Sequence, residues 1–142
     1  MIVIDANLLI YAYDRASADH KKSLVWLEKV LSGVEAVGLP WQSVSAFLRV
    51  ITNRRLGARV VVEQAVHVLE EWLQQPNVQV LAPGDRHWSV LRRMILEGRA
   101  SGPLVRDAQI AALTIEFGGV LHTADRDFAR FPGLRWQNPL SE

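Results

Sequence analysis

Four aspartates carry most of the chemistry that this sequence makes available. Asp5 closes the β-branched run Met1-Ile-Val-Ile, and Asp125 follows the apolar run Val120-Leu121-His122-Thr123. Asp107 falls in the first turn of an amphipathic stretch that leads into that second run, and Asp127 stands two residues past Asp125. Short apolar runs of this kind read as buried strands of a parallel sheet. The functional crevice of an open parallel sheet lies outside the carboxyl ends of its strands, which places Asp5 and Asp125 on one rim. The Asp107 helix must start from the same rim if it runs back along the sheet before the chain re-enters as a parallel strand. Carboxylates gathered there disfavour one another's ionisation, and a hard divalent cation bound by oxygen is the usual compensation. Magnesium fits, with manganese as the alternative ion, because it binds through a few carboxylates and keeps waters that can act on a phosphodiester. Asp5, Asp107, Asp125 and Asp127 are the candidate acids for such chemistry.

Each acid also has a plainer reading. An aspartate after a strand is often a turn former or a helix N-cap. Asp107 could serve only the helix dipole, and Asp127, within Asp-Arg-Asp, could be a solvated charge. Convergence on one rim favours the functional reading, but spacing alone leaves both open.

The elements that must position these acids follow from periodicity. Asn7 to Tyr13 begins a helix or turn, and His20 to Leu31 carries Leu24, Leu27, Val30 and Leu31 at helical spacing before Gly33. Leu39-Pro40-Trp41 reads as a break, followed by a helical stripe of Val44, Phe47, Leu48 and Ile51. A third helix is expected from Val60 to Leu73, a strand over Val78–Leu81, and a helix from about Arg86 to Leu96. Pro103 suits a helix first turn, with Ile110, Leu113 and Phe117 as its stripe and Gly118-Gly119 as its stop. Leu134-Arg135-Trp136 is the last expected strand. Strands separated by helices give an α/β domain with a mostly parallel sheet.

Composition sets the bounds. The chain has 142 residues, 49% hydrophobic and 22% charged, with a formal net charge of +1. That is the size of one domain spanning residues 1–142, and its balance argues against disorder. No cysteine is present, which excludes disulfides, thiolate metal sites and thiol nucleophiles. The apolar run Ile2–Tyr13 lacks a basic leader, is interrupted by Asp5 and Asn7, and is too short to cross a bilayer, which takes about 20 residues. A cytoplasmic protein with no membrane association is expected.

Three motifs resemble a known family. Met1-Ile-Val-Ile-Asp-Ala-Asn-Leu-Leu-Ile-Tyr11 is similar to the opening of PIN domains, especially the VapC toxins of bacterial toxin–antitoxin pairs. Leu104-Val-Arg-Asp-Ala-Gln-Ile-Ala-Ala-Leu113 resembles the helix that carries their third acid, and Thr123 to Leu134 resembles their C-terminal signature. Phe47 to Asn53 and Pro83 to Trp88 resemble a subgroup abundant in mycobacteria. The resemblance covers essentially the whole chain. It implies a three-layer α/β/α PIN-like fold, a magnesium-dependent endoribonuclease acting on RNA, a homodimer, and a VapB-type antitoxin as partner. It also implies that Asp5, Asp107 and Asp125 hold metal, that Asp127 belongs to the same cluster, and that Asn7 and Thr123 support it. One departure stands out: many PIN nucleases carry a glutamate where Ala46 stands here, and no acid occurs between Glu35 and Glu63. That gap puts the number of metal ions in question.

Arg49, Arg54, Arg55 and Arg59 form one basic set, and Arg92, Arg93, Arg99 and Arg106 a second. Basic patches supply sequence-independent affinity for phosphates, although a solvated helix face explains any single arginine as well. Arg106, beside Asp107, is the arginine expected to reach RNA. Trp26 and Trp72 fall on amphipathic helices and read as core, Trp41 and Trp88 stay open, and His87 and His122 read as structural or surface. Two rival readings remain. One is a catalytically weak PIN-like module that binds RNA or a partner protein, suggested by Ala46. The other is a dehalogenase-type phosphatase, which would need an acid where Asn7 stands.

Overall fold

The computed structural model describes residues 1–53 and 60–141; Arg54, Arg55 and Arg59 lie outside the described residues. The elements run β1 (Ile2–Ile4), α1 (Ala6–Tyr13), α2 (His20–Leu31), β2 (Val37–Pro40), α3 (Trp41–Ile51), α4 (Val62–Leu73), β3 (Val78–Leu81), α5 (His87–Gly98), α6 (Leu104–Glu116), β4 (Val120–His122), a 3₁₀ turn (Arg126–Arg130) and β5 (Trp136–Gln137). The strands form one five-stranded sheet in the order β3-β2-β1-β4-β5, parallel at every pairing.

Successive side chains of a strand face opposite ways, and the core divides accordingly. Val3 and Leu121 pack with Leu91 and Met94 of α5 and with Ala108, Ala111 and Ala112 of α6. Ile4, Val37 and Leu39 pack against the opposite layer, with Leu8 and Leu9 of α1, Leu27 of α2, Phe47 and Ile51 of α3, and Ala65 and Leu69 of α4. Three layers result, helix on sheet on helix. The small residues of α6 let it lie close to both the sheet and α5, so its buried residues cover most of its circumference.

Three local expectations need correction. Leu39-Pro40 does not break the chain but ends the buried strand β2. Proline is tolerated there because it occupies the last position, where the ladder is ending. The final strand is Trp136–Gln137 rather than Leu134–Trp136, after a turn at Gly133 with φ 83°. Phe117 is 40% exposed, beyond the last residue of α6 and off its buried stripe.

Candidate active site

β1 and β4 are neighbours, and the chain leaves them in opposite directions, through β2 and β3 on one side and β5 on the other. The carboxyl end of that pair is a topological switch point, where a crevice opens in α/β sheets. Asp5 stands at the end of β1 and Thr123 immediately after β4. Asp5 is the N-cap of α1, its Oδ1 accepting from the Ala6 amide at 2.8 Å. Its Oδ2 accepts from Thr123 Oγ1 at 2.7 Å. Thr123, fully buried, accepts in turn from Asn7 Nδ2 at 3.2 Å and from the Asp125 amide at 3.0 Å. One donor and two acceptor lone pairs are all that a hydroxyl has, so Thr123 is saturated. Asn7 Oδ1 accepts from the Ala124 amide at 3.4 Å. Asp125 caps the 3₁₀ turn, its Oδ1 accepting from the Asp127 amide at 2.9 Å. Asp5 and Asp125 therefore serve as caps, as the plain reading has it, and through Thr123 they are joined at one rim.

The fourth acid arrives from the other layer. Asp107 lies in the first turn of α6 and is half-buried. Burial, followed by the charges of Asp5, Asp125 and Asp127, pushes its pKa up to about 6, with Arg106 pulling the other way. Burial also raises Asp5, against the hydrogen bonds from Thr123 and Ala6, and Asp125 adds to the rise. The four acids thus share one electrostatic environment. Among the described residues, no three His, Cys, Asp or Glu side chains are drawn together tightly enough to enclose a metal ion. The donors are all oxygen, however, and magnesium binds through one or two carboxylates while keeping several waters, so a loose acidic rim of this kind fits it.

Two contributors escaped the sequence reading. The pKa of Tyr11 is raised by burial and then by Asp19, Asp5 and Asp125, which places its phenol within electrostatic reach of the acids. It follows Asn7 by one helical turn on α1, and that spacing was the available signal. Ser43, buried at the start of α3, donates to the Ile4 carbonyl at 2.8 Å and fixes α3 against the strand that carries Asp5. Ala46 is 6% exposed and α3 has no acidic residue, so that helix adds no carboxylate to the rim. Arg106 is exposed beside Asp107. His87 Nδ1 lies 2.6 Å from Glu116 Oε2, and His122 stacks on Trp26 with ring centroids 5.6 Å apart; both are structural. Trp26 and Trp72 pack on the core, while Trp41 and Trp88 are exposed.

Residues 2–134 match the PIN domain. The chain is 36% identical to Ribonuclease VapC33 of Mycobacterium tuberculosis over 143 residues, covering 100% of both. The chain belongs to the VapC branch of the PIN-domain family. Ribonuclease VapC37 of Mycobacterium tuberculosis is 39% identical over 140 residues, 98% of this chain and 97% of the relative. Among solved structures, VapBC2 of Rickettsia felis bound to a fragment of promoter DNA superposes with a TM-score of 0.70 at 17% identity, covering 97% of this chain and 98% of that one. Mycobacterium tuberculosis VapC20, described as a sarcin-ricin loop cleaving toxin, superposes with a TM-score of 0.66 at 19% identity, covering 95% and 99%. At such identities the superpositions establish that the VapC-family domain has the PIN fold. No helix among its described residues is long and apolar enough to cross a membrane.

Proposed function

We propose that this VapC-family domain is the toxin of a VapBC pair, a magnesium-dependent endoribonuclease that acts in the cytoplasm as a single domain over residues 1–142. The observation that carries the reading is the hydrogen-bonded rim Asp5–Thr123–Asp125, with Asp107 coupled to it and its carboxyl raised to about 6 by burial first and then by the neighbouring charges. Relatives named as ribonucleases support it, as do neighbours solved as toxin–antitoxin complexes.

Asp5, Asp107 and Asp125 would hold the ion, with Asp127 beside them. Bound there, magnesium supplies charge to offset the scissile phosphate and lowers the pKa of a coordinated water. The chain's own residues do the rest. Thr123 and the Ala6 amide lock both oxygens of Asp5 in place, and Asn7 fixes Thr123 and Ala124. Arg106, exposed beside Asp107, meets the RNA backbone. Each histidine already has a neighbour other than the four aspartates: His87 has Glu116, His122 has Trp26, His67 has Glu71 and His20 has the Tyr11 carbonyl. Attack by water rather than by the RNA 2′-hydroxyl leaves 5′-phosphate and 3′-hydroxyl ends.

The test is the end chemistry of cleaved RNA, with chelator and Asp5→Asn as controls. Loss of cleavage in both controls is expected, with 5′-phosphate products from the wild type. Cyclic phosphate ends, or cleavage that survives both controls, would refute the reading. Exposed Val61, Val62 and Val66 at the start of α4 supply an apolar surface for a second copy of the chain or for a VapB-type antitoxin. A weak RNA- or partner-binding module is the second reading, favoured by Ala46. Calorimetry of magnesium binding to the wild type and to Asp5→Asn separates the two, because heat that depends on Asp5 belongs only to the first.

A further inference from the structure

Arg99, the residue that caps α5, has φ 50° and ψ 48°. No other non-glycine among the described residues has a positive φ. Left-handed backbone is costly for a side chain, and helices that end this way usually place glycine there. A glycine is available one residue earlier, but it is committed elsewhere. A Cβ on Gly98 would stand 2.7 Å from Phe131 Cδ1, so close packing takes the glycine and the strained position carries an arginine.

The strain returns nothing to the folded chain through the side chain. Arg99 is exposed. The ion pairs among the described residues join Met1 to Glu35, His67 to Glu71 and His87 to Glu116, and none includes an arginine. Its position is specific, however. His87 at the start of α5 meets Glu116 at the end of α6, so the two helices run antiparallel and the end of α5 lies beside the beginning of α6, where Arg106 and Asp107 stand. From the other side, Arg130 of the 3₁₀ turn donates to the carbonyls of Gly98 at 3.3 Å and Arg99 at 3.4 Å. That turn begins at the Asp125 cap and contains Asp127. Arg99 therefore lies at the end of α5 on the side of the molecule where α6 begins, next to the last residue of the 3₁₀ turn, with an exposed planar fork suited to a phosphate.

We infer that Arg99 is an RNA-phosphate-binding residue of this site, held in left-handed backbone where glycine would be less strained. Strain of this kind persists at sites where the side chain has a task. The inference rests on the ribonuclease reading above and deepens it.

The test is Arg99→Gly, with Arg99→Lys beside it. Arg99→Gly should fold with a Tm unchanged or raised by up to about 4 °C and lose about 10-fold or more in kcat/KM on single-stranded RNA. In the Asp5→Asn background, removing one phosphate contact should reduce the slope of log affinity against log salt by about 0.7, and Arg99→Lys should restore that slope. A glycine variant that cleaves within about twofold of wild type, with an unchanged salt slope, overturns the inference while leaving the nuclease intact. Arg99-dependent RNA binding by a wild-type chain that does not cleave sinks the nuclease and keeps the phosphate role. A chain that neither binds nor cuts RNA sinks both.

Discussion

Replacing Thr123 with valine would keep the side-chain shape and remove three hydrogen bonds, to Asp5, from Asn7 and from the Asp125 amide. Leaving these buried groups unsatisfied should cost about 1–3 kcal/mol of stability, read as a lower Tm. Because the Thr123 bond holds the Asp5 pKa down, the acid limb of the pH–rate profile should also move to higher pH, and Thr123→Ser should restore it. Asp107 makes a complementary prediction. Its pKa lies near 6 in the folded chain against an ordinary 3.8. Its contribution to stability is therefore full below about pH 3.8 and is lost as pH rises through about 6. Asp107→Asn should raise the Tm of the metal-free protein at pH 7, by less than the full shift implies because the group is half-exposed. The difference should vanish near pH 4. Added magnesium should stabilise the wild type more at pH 7 than at pH 5, since protons compete for the same carboxylates; thermal melts at both pH values check this. The shared rim of the strand-end acids was legible because parallel strands align their carboxyl ends. Tyr11 was harder to read, because one helical turn from Asn7 is a weak signal and its coupling to Asp5 and Asp125 exists only in the folded chain.

At the scale of elements, the helices were legible wherever a stripe was long, as in α3, where Val44, Phe47 and Ile51 are buried as their spacing requires. β2 was not legible. Its four residues Val-Gly-Leu-Pro contain the two residue types that usually punctuate a strand. The glycine is there because of tertiary packing: a Cβ on Gly38 would stand 2.7 Å from Leu81 Cδ1, which only the folded sheet reveals. β2 delivers α3 to the rim, and Ser43 fastens it to Ile4. Ser43→Ala should cost about 1–2 kcal/mol, a fall in Tm of roughly 3–6 °C. It should lower cleavage as well, because the strand end bearing Asp5 loses its brace. Unchanged activity in a variant with the expected Tm loss would show that α3 supports the fold and not the site.

For the molecule as a whole, an α/β domain with a mostly parallel sheet was readable from the alternation of strands and helices and the three layers from the family resemblance, whereas strand order depends on which faces must be covered and is not written locally. The apolar start of α4 supplies a test at this scale. Val62→Lys with Val66→Lys should leave the Tm within about 2 °C, because the two side chains are 59% and 40% exposed. The same pair should reduce self-association or antitoxin binding, measured by light scattering and by co-purification with the product of a neighbouring antitoxin gene. Unaltered association would move the interface elsewhere.

The bond between Thr123 and Asp5 spans 118 positions of sequence, and β1 finds one of its two flanking strands only when β4 exists. During synthesis Asp5 leaves the ribosome 118 residues ahead of its hydroxyl partner and waits without it. A nascent chain that stops short of Thr123 therefore lacks the hydrogen-bonded rim on which the proposed cleavage depends. The activity proposed above becomes possible only once β4 has joined the sheet.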